Sequence, residues 1–265
     1  MSLRLFLNLW RKHMKKITLV DANNWFRRYM YSDKFLDIPS MIVDLASLNP
    51  TYLVWDGYNG NAKRREIYPD YKKSRKEKDV DTDFETLNMI RNDLMPYLPA
   101  CSISADGFEG DDVINHLCEK LSVCEDMEFE IISTDKDLAA ILPNSSRVSN
   151  PLVSEKFMET VGRREWIPLY KTLVGDPSDC ICGLKGFGNK SWEKLTTEAK
   201  NNLLYCFKNN IVPDDEKIAQ SFEELKKMWT IVNFLPIDNS ELKIVNSVYD
   251  LEKIKEILNE KGVMI

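Results

Sequence analysis

Asp106-Gly107-Phe108-Glu109-Gly110-Asp111-Asp112 runs directly into Val113-Ile114-Asn115-His116-Leu117. Glu109, Asp111 and Asp112 stand at i, i+2 and i+3, and an apolar helical pattern begins where they end. Acids are common at a helix start, because that end of the helix dipole favours negative charge. This accounts for one or two carboxylates better than for three among a pair of glycines. Like charges so close repel, and hard divalent cations relieve the conflict, magnesium above all, because it prefers carboxylate oxygens and retained water. On these residues alone a solvated helix cap and a metal site both remain open.

Outward from this stretch, short apolar runs alternate with helical patterns. Lys16 to Val20 reads as a buried strand ending at Asp21, and Thr51 to Trp55 as a second ending at Asp56. Cys101 to Ser104 is a third, just before the acidic stretch, and Phe129 to Thr134 a fourth, ending at Asp135-Lys136-Asp137. Helical patterns cover Ile38 to Leu48, Thr82 to Tyr97 and Asp111 to Leu121. Such alternation predicts an α/β fold, a mostly parallel central sheet with helices on both faces. The carboxyl ends of its strands share one edge, where ligands bind. One Asp after a strand is usually a turn or helix cap. Asp21, Asp56 and Asp135, at equivalent positions beside Glu109, Asp111 and Asp112, make a shared acidic rim the stronger reading.

The charge changes sign between Asp56 and the acidic stretch. Lys63-Arg64-Arg65-Glu66-Ile67-Tyr68-Pro69-Asp70-Tyr71-Lys72-Lys73-Ser74-Arg75-Lys76 is rich in cations, with aromatics interleaved. A charge run is usually a solvated surface. Following a rim acid, this one reads better as a phosphate-binding segment whose Tyr68 or Tyr71 can stack on a base. Residues 76–99 then form a helical cover over the rim. Beyond Asn150 the pattern is mainly helical. Gly175-Asp176-Pro177-Ser178-Asp179 leads to Gly183-Leu184-Lys185-Gly186-Phe187-Gly188-Asn189-Lys190, a glycine hairpin between helices with Lys194 nearby. The flanking helices and lysines favour a helix-hairpin-helix that holds nucleic-acid backbone. Asp176 and Asp179, at i and i+3, can join the rim as a second metal position. The expected organisation is an extension over residues 1–16, an α/β core over 17–150 carrying the basic segment and cover (63–99), and a helical region over 151–265 containing the hairpin (170–196). Residues 200–265 read as helical, with Met228, Trp229, Ile231, Val232 and Phe234 as core.

Composition sets further bounds. The chain has 265 residues and a formal charge of −6, which taken alone argues against nucleic acid. Its six cysteines follow no repeated CxxC frame, so reduced thiols in a cytoplasmic protein are expected. With two histidines, a His-based zinc site or a Ser-His-Asp triad is hard to assemble. No segment approaches the ~20 apolar residues of a membrane span. The first sixteen residues lack a cleavage site and read as a short amphipathic helix or dispensable leader.

As an ordered set, Val20-Asp21-Ala22-Asn23, Trp55-Asp56-Gly57, Tyr71-Lys72-Lys73-Ser74-Arg75, Glu109-Gly110-Asp111-Asp112, Ser133-Thr134-Asp135-Lys136-Asp137, Gly175 to Asp179 and Gly183 to Gly188 resemble the 5′-nuclease family. The similarity is strongest with bacteriophage 5′→3′ exonucleases and flap endonucleases. It covers about Ile17 to Lys194, more weakly the C-terminal helices. The resemblance implies metal-binding roles for Asp21, Asp56, Glu109, Asp111, Asp112, Asp135, Asp137, Asp176 and Asp179. It implies that Lys72 and Arg75 contact the scissile phosphate and that Tyr71 stacks near the reacting nucleotide. Arg64, Arg65, Tyr68, Lys73, Gly183, Lys185, Gly186, Gly188 and Lys190 are the expected DNA contacts. The implied cofactors are two or more Mg2+, replaceable by Mn2+, and K+ held by hairpin carbonyls. The implied substrates are DNA with 5′ flaps or 5′ ends and RNA–DNA hybrids, cut by a monomer that works beside replication proteins. Setting the nine acids aside turns the charge from −6 to +3, which removes the objection from net charge. The segment over 76–99 is short for a long arch. The rival readings are a PIN-type ribonuclease, which needs neither hairpin nor basic segment, and a non-catalytic binder of branched DNA, which a lost carboxylate would favour.

Overall fold

The computed structural model describes residues 16–74, 82–122, 128–141, 148–149 and 155–263. In chain order the first half comprises β1 (Lys16–Asp21), α1 (Ala22–Met30), α2 (Ile38–Ser47), β2 (Tyr52–Val54), α3 (Ala62–Ile67), α4 (Thr82–Met89), β3 (Cys101–Ala105), α5 (Gly110–Leu121) and β4 (Glu128–Ile132). Then follow β5 (Val148–Ser149), α6 (Glu155–Val161), α7 (Ile167–Val174), α8 (Asn189–Lys194), α9 (Thr197–Asn209), α10 (Glu216–Gln220), α11 (Phe222–Val232), β6 (Leu242–Val245) and α12 (Leu251–Glu260).

The sheet order is β5-β4-β1-β2-β3-β6, with five parallel strands and β6 antiparallel to β3 at one edge. Consecutive side chains of a strand point to opposite faces, so a run apolar throughout is buried on both. β1 shows this directly. Ile17 and Leu19 pack with Val113, Ile114 and Leu117 of α5, whereas Val20 packs with Phe26 of α1 and with Met41 and Ile42 of α2 on the other face. A further core joins α7, α8, α9 and α11 through Leu169, Trp192, Phe207 and Phe222. No helix of the described residues is long and apolar enough to cross a membrane.

Two elements differ from the sequence reading. The helix expected over Thr82 to Tyr97 is α4 followed by a π-helical turn (Ile90–Leu94) and a 3-10 turn (Met95–Tyr97). Pro96 lacks the amide needed to continue the α ladder. β6 falls in the region expected to be helical; four half-exposed residues carry too little periodicity to betray a strand. The N-terminal extension up to residue 15 and the start of the cover, over 76–81, lie outside the described residues.

Candidate metal centre

Parallel strands deliver their last residues to one edge, and here those residues are acids. Asp21 ends β1, Asp56 follows β2 and Trp55, and Asp135 follows β4 and Ser133-Thr134. Each is locally fixed. Asp21 caps α1, accepting from the Asn24 amide at 3.1 Å, and takes the Ser133 hydroxyl at 2.8 Å. Asp56 accepts from the Gly110 amide at 2.7 Å and from Asn23 Nδ2 at 3.0 Å. Asp135 caps the 3-10 turn Lys136–Ala140 through the Asp137 amide at 2.9 Å. Capping and rim placement thus hold together for Asp21 and Asp135. The loop after Asp56 lies against the one after β3 so closely that a Cβ on Gly57 would meet the Ala105 carbonyl oxygen at 1.7 Å. That approach brings Asp56 to the start of α5.

The α5 start supplies Glu109 and Asp111 to the rim. Glu109 is the hub for two cationic side chains and a phenol. Lys72 Nζ lies 2.6 Å from Oε1, Tyr71 donates its hydroxyl to Oε2 at 2.8 Å, and Arg64 Nη1 stands 3.4 Å away. Lys72 holds a left-handed backbone (φ 51°), a cost of roughly 1–2 kcal/mol for a side-chain-bearing residue. Its amide donates to the Asp179 carbonyl at 3.0 Å, and its own carbonyl accepts from Arg65 Nη2 at 3.3 Å. Those bonds fix the kink that aims the lysine at Glu109.

A second group comes from the hairpin side. Asp137, Asp176 and Asp179 each offer an oxygen, all within 4.8 Å of one another. Lys171 of α7, buried, pairs with Asp137, lies 2.6 Å from Asp176 and 4.0 Å from Asp179. These acids, with Glu109, Asp111, Asp135, Tyr71 and Lys72, line one cleft of about 350 Å³.

The electrostatics divide the carboxylates. Burial, and then the nearby Asp56, push Asp21 up to about 7. Burial raises Asp56 and Asp135, with Glu109 and Asp137 respectively adding repulsion. Asp111 is pushed well above its ordinary value, burial being joined by Asp135, Asp21, Glu109 and Asp137. Burial alone would raise Glu109 and Asp176 too, but Lys72 and Arg64 hold the first below its ordinary value and Lys171 holds the second down. Carboxylates crowded until they retain protons form a set short of positive charge. Every donor is a hard oxygen, and Asp137 Oδ1 is buried with no hydrogen-bond partner. The set fits Mg2+ or Mn2+.

A pH-dependent response to metal follows. The pKa of Asp21 is higher folded than unfolded, so its contribution to stability is fullest below about 4 and is lost as pH rises through about 7. Added Mg2+ should therefore raise the melting temperature by several degrees, roughly 5–10 °C, near pH 8 and far less near pH 5. Scanning calorimetry against EDTA controls measures this; equal shifts at both pH values would contradict the charge assignment.

Several expected contacts lie elsewhere. Asp112, fully buried, faces away from the rim. Its carboxylate is held by Arg64 at 2.5 and 2.7 Å and accepts from the Leu235 amide at 2.7 Å and the Glu109 amide at 3.1 Å. Successive helical residues turn by about 100°, so Asp111 and Asp112 cannot share the rim. Arg64 is consequently a core residue that also donates to the Ile231 carbonyl at 2.8 Å, and it is not available to DNA. Arg65, half-buried, donates from Nε to the Tyr71 carbonyl at 3.0 Å and from Nη2 to the Lys72 carbonyl at 3.3 Å. The rings of Tyr68 and Tyr71 pack in the helical core, and Tyr71 meets the cleft beside Glu109. Lys73 is exposed beside Asp70, and Arg75 lies outside the described residues.

The hairpin between α7 and α8 is formed, with Lys185, Gly186, Gly188 and Lys190 exposed. Gly183 (φ 66°) has no room for a side chain, since a Cβ would lie 2.6 Å from the Gly175 nitrogen. Two features went unread in the sequence. Lys171 is a lone cation in an apolar helix, which reads as a solvent-facing residue. Asn23 and Asn24 tie strand ends together, Asn24 Oδ1 accepting from the Thr134 amide and hydroxyl at 3.1 Å each.

Residues 16–168 match the family described as 5'-3' exonuclease, N-terminal resolvase-like domain. The 5'-3' exonuclease of Aquifex aeolicus (strain VF5) is 31% identical over 227 residues, covering 80% of this chain and 75% of that protein. A thermostable DNA polymerase I of Thermus thermophilus is 32% identical over 173 residues, 62% of this chain but 20% of the polymerase. Among solved structures, the bacteriophage T5 5'-exonuclease with bound zinc superimposes with a TM-score of 0.63 at 23% identity, covering 82% of this chain and 89% of that one. The T5 flap endonuclease in a pseudo-enzyme–product complex with DNA and metal ions gives 0.63 at 20% identity, with 82% and 88% coverage. These two share its α/β fold. By the match over more than half its length and by its relation to the Aquifex protein, this chain belongs to the 5′-3′ exonuclease family and is a phosphodiester hydrolase.

Proposed function

We propose that the chain is a divalent-metal-dependent, structure-selective 5′ nuclease that hydrolyses DNA at 5′ flaps and free 5′ ends, and removes RNA from RNA–DNA hybrids. The observation that carries this reading is the meeting of acids from the β4 end, the α5 start and the hairpin side in one cleft, with Lys72 on Glu109. Asp21, Asp56, Glu109, Asp111, Asp135, Asp137, Asp176 and Asp179 would hold Mg2+, with Mn2+ as a substitute; Asp112 would not. The bound ions supply an activated water and neutralise charge on the phosphate and leaving oxygen.

The chain's own groups do the rest. Lys72, half-buried at the cleft, offers ammonium donors to a phosphate entering beside Glu109, where charge develops as the bond breaks. Tyr71 holds Glu109 in place through its hydroxyl, a positioning role instead of the expected stacking one. Arg75, implied by the resemblance as a second phosphate contact and outside the described residues, belongs to the same proposal. The exposed hairpin, with Lys185 and Lys190, would grip duplex backbone away from the cut, which favours substrates having both a duplex and a 5′ end. K+ at hairpin carbonyls belongs to the same proposal.

A substrate panel tests it. With Mg2+, 5′-labelled flap and 5′-recessed duplexes should be cut at the junction or from the end, with single-stranded RNA left intact. Cleavage of single-stranded RNA alone would favour the ribonuclease reading, and junction binding without cleavage in Mg2+ or Mn2+ the non-catalytic one.

A further inference from the structure

The two halves of the centre are balanced differently. Asp21, Asp56, Asp111 and Asp135 form no ion pair within 4.0 Å among the described residues. Asp137, Asp176 and Asp179 instead surround the Lys171 ammonium, 2.6 Å from Asp176 and 4.0 Å from Asp179 and paired with Asp137. Lys171 is 3% exposed, an unusual position for a lysine unless its charge is matched. Its neighbourhood is built for a cation: the three acids offer oxygens within 4.8 Å of one another, and the second oxygen of Asp137 has no donor. The helix supports it too, since Lys171 lies in the last turn of α7, where the dipole favours positive charge.

We propose that the Lys171 ammonium is the resident counter-ion of the Asp137–Asp176–Asp179 half, occupying the place of the second divalent ion and competing with it. The inference rests on the metal-dependent reading above. Lys136 Nζ stands 3.7 Å from Asp176 and Lys72 Nζ 3.9 Å from Asp179, but the Lys171 ammonium is the cation that lies among all three carboxylates. A divalent ion brings twice its charge to that point and gains by entering, but it must first move the ammonium aside. The half without an ammonium therefore fills first, and the Lys171 half fills second and more weakly. Lys171 so sets the metal concentration at which the complete centre forms. This explains why a lysine is buried among acids that a metal alone would neutralise better.

Mn2+ binding to the full chain without DNA, followed by electron paramagnetic resonance, tests the competition. The native chain should show a tighter and a weaker class of sites. Lys171→Met, similar in length and uncharged, should tighten the weaker class roughly tenfold or more, leaving the number of ions unchanged; Lys171→Arg should leave it weak. An isotherm for Lys171→Met that matches or lies weaker than the native one overturns the proposal. Should Lys171→Met not fold, the native chain labelled with 15N-lysine gives the same answer. Its ion-paired ammonium resonance should survive filling of the first class by Mg2+ and shift or vanish as the second fills. A resonance unchanged at saturation overturns the proposal. A native chain that binds no Mn2+ removes both this inference and the metal-dependent reading, whereas normal binding with an unresponsive Lys171→Met removes this inference alone.

Discussion

Asp111→Asn should abolish flap cleavage while stabilising the metal-free protein. Asp111 stands among Asp135, Asp21, Glu109 and Asp137, and burial with their repulsion keeps its carboxyl far above the ordinary range. A divalent ion converts that repulsion into ligation. The amide keeps the shape and removes the charge, so the centre loses affinity for metal and the transition state loses its main electrostatic support. A fall in single-turnover rate of about 10³-fold or more, about 4 kcal/mol, is expected. In EDTA the same substitution removes the cost of keeping this carboxyl protonated at a pH where the unfolded chain would ionise it, so the melting temperature should hold or rise. Opposed effects on activity and stability mark a site where charge is concentrated for function. A rate within about tenfold of native, or a lower melting temperature in EDTA, would contradict this role.

Arg64→Ala should produce the opposite pattern, a loss of folding. Its guanidinium holds both oxygens of Asp112, at 2.5 and 2.7 Å, and reaches the carbonyls of Ile231 at 2.8 Å and Asn233 at 3.2 Å. It therefore joins α3, α5 and the end of α11 at one buried point. Truncation leaves Asp112 charged, fully buried and without its cation, at a cost of about 3–5 kcal/mol. The melting temperature should fall on the order of 10 °C. Arg64→Ala combined with Asp112→Asn should recover part of the loss, because the neutral amide needs no counter-charge. If Arg64 served DNA, the substitution would weaken substrate binding with the melting temperature unchanged. A double substitution no more stable than the single one would also count against the buried pair.

The sheet and its acidic rim were legible because strand and acid sit next to each other in sequence. Ile17 to Asp21, or Phe129 to Asp135, shows an apolar run followed at once by a carboxylate, and parallel topology does the rest. Glu109 and Asp111 were legible for the same reason at the start of a helix. Asp112 was not, because three clustered acids carry no sign of which one turns inward. A Glu109–Asp112 capping box was the available clue, since the third helical position commonly reaches back to the cap amide. Arg64 and Arg65 were read as DNA contacts because their charge run follows a rim acid, and the six-residue α3 is too short to reveal a buried side. Tyr68 and Tyr71 went to the core formed by distant helices, and Lys171 meets Asp137, 34 residues away, as well as the nearby Asp176 that the turn after α7 folds back onto it. Those partnerships exist only after folding.

Single-turnover cleavage of a 5′-labelled flap duplex, started by Mg2+ and compared with an EDTA control, tests the central claim most directly. The account predicts a labelled product ending at the flap junction in Mg2+, none in EDTA, and recovery when Mg2+ is added in excess. Cleavage that continues unchanged in EDTA, or no product in Mg2+ or Mn2+ from folded protein bound at the junction, would contradict it.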